Sequence, residues 1–144
     1  MNKTFSYLPK KELGQNFLLD EQILKKIVSF LPIEINTLII EIGTGYGHLT
    51  DCLADTNCYK ILSFEKDKDI YSWLKENKSN KKVTFLNEDA LKVNWQKIYE
   101  ENKNYHLLVV GNLPYYIANF LLIGLLDKSK LFNFFCFLVQ KEVA

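Results

Sequence analysis

The chain contains no arginine, and all 18 of its basic residues are lysine. Bidentate guanidinium readout of guanine or phosphate is therefore excluded. An AT-rich coding sequence would leave the same mark, together with the many Asn, Ile and Lys residues. A strong overall charge is also lacking. The formal net charge is +1, so any contact with nucleic acid must come from a local patch. Cys52, Cys58 and Cys136 are odd in number and lack CxxC spacing, which argues against a disulfide frame or a zinc site and for reduced, buried thiols. Residues Met1 to Gly14 have no apolar core of the secretory kind. The run Phe120 to Leu126 is far short of the roughly 20 residues that span a bilayer. These absences predict a soluble, cytoplasmic protein with no metal and no membrane partner.

What is present suffices for a core. Hydrophobic residues make up 48% of the 144, enough for one domain or part of one. Asp20 is a good N-cap for a first helix carrying Ile23, Leu24, Ile27, Val28 and Leu31 on one face, closed by Pro32. Strands and helices then alternate. Strands are predicted at Thr37–Ile42, Tyr59–Phe64, Val83–Leu86, His106–Val110 and Phe132–Val139. Helices are predicted over about His48–Ala54, after the Asp67 cap with Ile70, Tyr71 and Leu74, around Trp95 and Ile98, and over Ile117–Leu126. The pattern predicts an α/β fold, a mostly parallel sheet with helices on both faces. The chain stops at Gln140–Ala144, where a further helix is due, so the expectation is a domain truncated after its fifth strand.

In such a sheet, ligands bind beyond the carboxyl ends of the strands. Polar features fall at four of these ends. The first is the turn Gly43-Thr44-Gly45-Tyr46-Gly47, preceded by Glu41. It lacks the Gly-x-Gly-x-x-Gly spacing of dinucleotide sites, which argues against a nicotinamide-dependent oxidoreductase. Glu41 opposes a pyrophosphate but suits the ammonium group of S-adenosylmethionine, directly or through water. Glu65 follows the second strand at a spacing that suits two ribose hydroxyls, and it also fits an ordinary solvated residue beside Lys66 and Lys68. Asp89 could accept a hydrogen bond from the cofactor's adenine amino group, with Ala90 offering a backbone N–H. It also fits an Asx cap.

Asn112-Leu113-Pro114-Tyr115 closes the fourth strand and is the most specific of the four. Adenine's amino nitrogen is a poor nucleophile because its lone pair is delocalised into the ring. Hydrogen bonds from that group to the Asn112 side-chain oxygen and to the Leu113 or Pro114 carbonyl would favour a tetrahedral nitrogen aimed at a methyl donor. Tyr115 and Phe17 are candidate surfaces for an unstacked base, and Phe17 equally fits a core position. Lys10, Lys11, Lys81 and Lys82 could touch phosphates or be ordinary solvated lysines. Neither His48 nor His106 is needed as a base.

The segments Lys11-Glu12-Leu13-Gly14-Gln15-Asn16-Phe17-Leu18-Leu19-Asp20, Glu41 to Gly47, Asp89-Ala90 and Asn112 to Tyr115, in this order, resemble the small-subunit ribosomal RNA adenine dimethyltransferases (the KsgA/RsmA type). Gln140 to Ala144 also looks like that family's segment after its fifth strand. The resemblance implies a Rossmann-like class I fold and S-adenosylmethionine as cofactor. It also implies dimethylation at N6 of two adjacent adenosines near the 3′ end of 16S rRNA in the small ribosomal subunit, and a monomer is expected. It would place Asn16 and Leu18 at the methionine end of the cofactor, Gly43 against it through its backbone, Glu65 on the ribose, Asp89 on the adenine and Asn112 between cofactor and target base. Gly45, like the other turn glycines, lets the backbone approach the cofactor closely. Tyr116 stands where the family often has Asn. Related 23S rRNA methyltransferases share the fold, and other amino-group substrates or a non-catalytic ribosome-assembly role remain as alternatives. Family members continue through two more strands and a small helical RNA-binding domain. Residues 1–144 alone are therefore expected to bind cofactor weakly and to methylate poorly.

Overall fold

The computed structural model describes residues 20–113 and 118–138. In chain order its elements are α1 (Glu21–Ser29), β1 (Thr37–Ile42), α2 (His48–Ala54), β2 (Lys60–Phe64), α3 (Lys68–Asn77), β3 (Val83–Leu86), α4 (Trp95–Asn102), β4 (His106–Asn112), α5 (Ala118–Leu126) and β5 (Phe134–Leu138). All five strands pair in parallel, in the order β3-β2-β1-β4-β5. The chain reverses its direction of sheet growth between β1 and β4, so the switch point lies there.

Strand periodicity of two sorts the side chains onto two faces. Leu38, Ile40 and Ile42 of β1 join Leu107 and Val109 of β4, Trp95 of α4, and Leu121 and Leu125 of α5 in one core cluster. Ile39 joins Ile61, Leu108 and Val110 with Leu24 of α1 and Leu49 and Leu53 of α2 in the other. Each such buried side chain contributes about 1.5–3 kcal/mol. β1 is buried along its whole length, as a central parallel strand must be.

The helix starts follow the expected chemistry. Asp20 caps α1 by accepting from the Gln22 and Ile23 amides. Asp67 caps α3 by accepting from Asp69 and Ile70. α1 ends at Ser29, two residues before the end of its apolar pattern, yet Leu31 is still buried beyond the helix. β5 begins at Phe134 instead of Phe132. Phe132 closes a 3-10 turn by donating to Ser129 and packs edge-on to Trp95, while the Asn133 side chain accepts from the Leu107 amide.

Candidate functional site at the strand ends

The three turn glycines all have positive φ: 79° at Gly43, 58° at Gly45 and 82° at Gly47. L-residues avoid this region, so the sequence of this turn is fixed by its path. Four bonds hold it to β2 and to Glu65 just beyond it. The Gly43 and Thr44 amides donate to the Phe64 carbonyl at 3.0 and 3.3 Å. The Gly45 amide donates to Glu65 Oε2 at 2.9 Å, and the Thr44 hydroxyl is 2.6 Å from Ser63 Oγ. From the α3 side, Trp73 meets the Tyr46 ring edge-on at a centroid distance of 4.9 Å.

Glu41 is fully buried. Its carboxylate lies under the turn, where Oε2 accepts from Ser63 Oγ and Thr50 Oγ1, both at 2.6 Å. Oε1 finds no hydrogen-bond partner among the described residues. Burial is the main cause that pushes its pKa up to about 7, and the two hydroxyls pull against that shift. Glu41 therefore supports the turn from below. Its burial means that any influence on a ligand passes through the turn or through the protein interior.

Glu65 follows β2 and is also largely buried. Oε2 accepts from Gly45 and Oε1 accepts from the Asp67 amide at 2.8 Å. Burial raises its pKa, opposed by these backbone donors. Each carboxylate oxygen retains further acceptor capacity, so the contacts within the chain leave room for hydroxyl donors. Asp89 does form the Asx cap considered from sequence: Oδ1 accepts from the Leu91 amide at 3.0 Å. Oδ2 is 3.0 Å from Lys66 Nζ. Ala90 is buried in the core.

At the switch point, Gly111 pairs with Ile42 of β1 and Asn112 with Leu138 of β5. A Cβ on Gly111 would collide with the Ile42 carbonyl, which accounts for glycine beside the catalytic candidate. Asn112 is half-buried. The Leu113 side chain is buried in the core and its amide donates to the Leu138 carbonyl at 3.0 Å, so the side chain is structural. Asn16, Phe17, Leu18, Pro114, Tyr115 and Tyr116 lie outside the described residues. No group of three or more His, Cys, Asp or Glu among the described residues could hold a metal ion. Among them, no helix is long and apolar enough to cross a membrane.

Ser63, Thr44, Thr50 and Asn87 were not singled out from the sequence. Asn87 donates to the Glu65 and Lys66 carbonyls and ties the end of β2 to the β3 loop. A signal for Ser63 does exist. It is the polar residue in the interior of β2, and a buried serine requires a partner.

The sheet order and the glycine turn at its switch point define a Rossmann-like α/β protein of the class I methyltransferase fold. Solved relatives agree. A dimethyladenosine transferase from Plasmodium falciparum aligns at TM-score 0.72 and 25% identity, covering 88% of this chain and 44% of that one. The 23S rRNA methyltransferase ErmE aligns at TM-score 0.68 and 22% identity, over 88% and 49%. The family model for ribosomal RNA adenine dimethylase matches residues 8–144, and the chain belongs to that family. It is similar to the ribosomal RNA small subunit methyltransferase A of Streptococcus thermophilus, with 41% identity over 138 residues, 94% of this chain and 47% of the relative. The chain thus spans about half the length of the curated relatives it matches.

Proposed function

We propose that this chain forms the S-adenosylmethionine-binding part of an rRNA adenine dimethyltransferase. Its target would be N6 of two adjacent adenosines near the 3′ end of 16S rRNA, in the small ribosomal subunit. One observation carries the reading. The positive-φ turn, Glu65, Asp89 and Asn112 lie at the carboxyl ends of four adjacent strands, β1, β2, β3 and β4, on one edge of the sheet. The donor set fits this cofactor. Glycines permit close backbone approach, and the remaining acceptor capacity of the acids suits hydroxyl and amino donors.

S-adenosylmethionine, when bound, supplies a methyl group that is already strongly electrophilic. The protein's task is therefore orientation and electrostatics. The Glu65 carboxylate would accept from the ribose hydroxyls while it keeps its bonds to Gly45 and Asp67. Asp89 would accept from the cofactor's adenine amino group, in exchange with or in addition to Lys66. Asn112 would accept a hydrogen bond from the target amino group through its side-chain oxygen, and Tyr115 would stack on the flipped base. Asn16 and Leu18 would line the methionine end.

The test uses the full-length protein, incubated with unmethylated small subunits and labelled S-adenosylmethionine, followed by mapping of the modified base. Dimethylated N6 on adjacent adenosines is expected, and Asn112→Ala should reduce transfer by about 100-fold or more. Label on 23S rRNA or on a protein would replace this substrate with another. A cellular role that persists in the Asn112→Ala variant would favour a non-catalytic assembly factor.

A further inference from the structure

We infer that Ser63 is a positioning residue of the methyl-donor loop: its hydroxyl transmits the hold of the buried Glu41 carboxylate to Thr44, and through Thr44 to the Gly43–Gly47 turn. The cofactor part of this inference rests on the function proposed above. The loop part stands on geometry alone.

The direction of the line follows from proton counting. Ser63 has one hydroxyl proton, and ionised Glu41 can only accept, so Ser63 donates to Oε2. The 2.6 Å contact between Thr44 and Ser63 then has Thr44 as donor. Thr50 donates independently to the same Oε2. The result is a directed line Thr44→Ser63→Glu41←Thr50. It joins the turn, β2, β1 and α2, and all four side chains are buried. Low dielectric strengthens such a line when it is satisfied and makes each broken link costly. The sheet register places Glu41 opposite Ser63, so the central link crosses one strand spacing without distortion.

Ionised Glu41 holds the Ser63 and Thr50 hydroxyls more strongly than the neutral acid does, and burial raises its pKa to about 7. The charged groups acting on Glu41 among the described residues are both acids. Glu65 stands at the end of β2. Asp51 lies on α2 and is itself paired with Lys78 at the end of α3. Both disfavour ionisation, while Ser63 and Thr50 favour it.

Three variants separate the links in the full chain, each first checked for a cooperative thermal transition. In the ligand-free protein, amide hydrogen exchange at Thr44 and Gly45 reports the turn, and the labelled Glu41 side-chain carbon reports its titration by NMR. Ser63→Ala should raise the exchange by roughly tenfold and move the Glu41 midpoint above about 7. Thr44→Val should loosen the turn and leave the midpoint in place. Thr50→Val should raise the midpoint and leave the turn protected. Calorimetric titration with S-adenosylmethionine should show affinity reduced roughly threefold to tenfold by Ser63→Ala and Thr44→Val. Uniform loosening in all three variants, or an unchanged turn in Ser63→Ala, overturns the inference. If the unsubstituted protein does not bind S-adenosylmethionine, the proposed function falls, and the exchange and titration data still decide the role of Ser63.

Discussion

The two sides of the sheet solve their polar and apolar demands differently. Around the ends of β1 and β2, the buried polar side chains are bonded to one another or to the turn: Glu41 to Ser63 and Thr50, Ser63 to Thr44, and Glu65 to Gly45 and Asp67. Around α5 and β5 the surface itself is apolar. Phe120, Ile123 and Leu126 of α5 are each more than 60% exposed, and Phe134 begins an edge strand. α1 shows the ordinary arrangement, a buried Leu24 behind an exposed face that carries the Glu21–Lys25 pair. A helix that is apolar all round is normally covered on all sides. The β1–β2 side is thus preorganised by its own contacts, while the α5 side presents a face that water does not suit.

The sharpest way to break the organised side is at its seam with β4. Gly111→Ala places a Cβ against the Ile42 carbonyl, a backbone atom of the central strand that cannot swing away. The loss should exceed about 4 kcal/mol, a size reserved for strained or overpacked backbones. Chemical denaturation would show a collapsed midpoint or no transition. A variant within about 1 kcal/mol of the parent would mean that β1 and β4 can separate at little cost, and the contrast between the two sides would be lost.

Next in size is the titration of Glu41. Its folded pKa, about 7, lies above the unfolded value of 4.5. Between those values the unfolded chain has lost a proton that the folded chain keeps. The stabilising contribution is therefore fully present below about pH 4.5 and is lost as pH rises through about 7. Its full extent is roughly 3 kcal/mol. Glu65 shifts in the same direction for the same main reason, burial. Urea unfolding between pH 5 and 8 should show stability falling with pH, and Glu41→Gln should flatten most of that slope. An unchanged slope in Glu41→Gln would assign the pH dependence to Glu65 or elsewhere.

How much of this was legible in the sequence depends on the range of the interaction. Thr37–Ile42 is a continuous apolar run broken only by Glu41, and the structure ends β1 at the expected residue. The Asp20 and Asp67 caps were readable because capping is decided within three residues. The positions of Glu65, Asp89 and Asn112 at strand ends followed from the strands themselves. The partners of Glu41 did not, because a buried acid in a strand does not announce which neighbour it faces. That required the register that sets Glu41 opposite Ser63. Lys66 reaching Asp89 across two loops was equally illegible. Phe132 misled for a different reason: an aromatic residue before a strand extends the apolar run, yet its side chain belongs to the helix-side core with Trp95.

The smallest expected effect on stability tests the other side of the comparison. Ile123 lies on the exposed face of α5 at 63% exposure, so its side chain contributes little to the core, and Ile123→Lys should alter unfolding free energy by no more than about 0.5 kcal/mol. Lysine is also at least as good a helix former as isoleucine, so α5 itself should persist. Behaviour in solution should change more than stability does. The charge interrupts a patch shared with Phe120 and Leu126, and sedimentation velocity at rising concentration should show less self-association in the variant than in the parent. A large loss of stability would instead mean that Ile123 is buried in the folded molecule. Then the Ile123 face of α5 would be covered, and the difference between the two sides of the sheet would disappear.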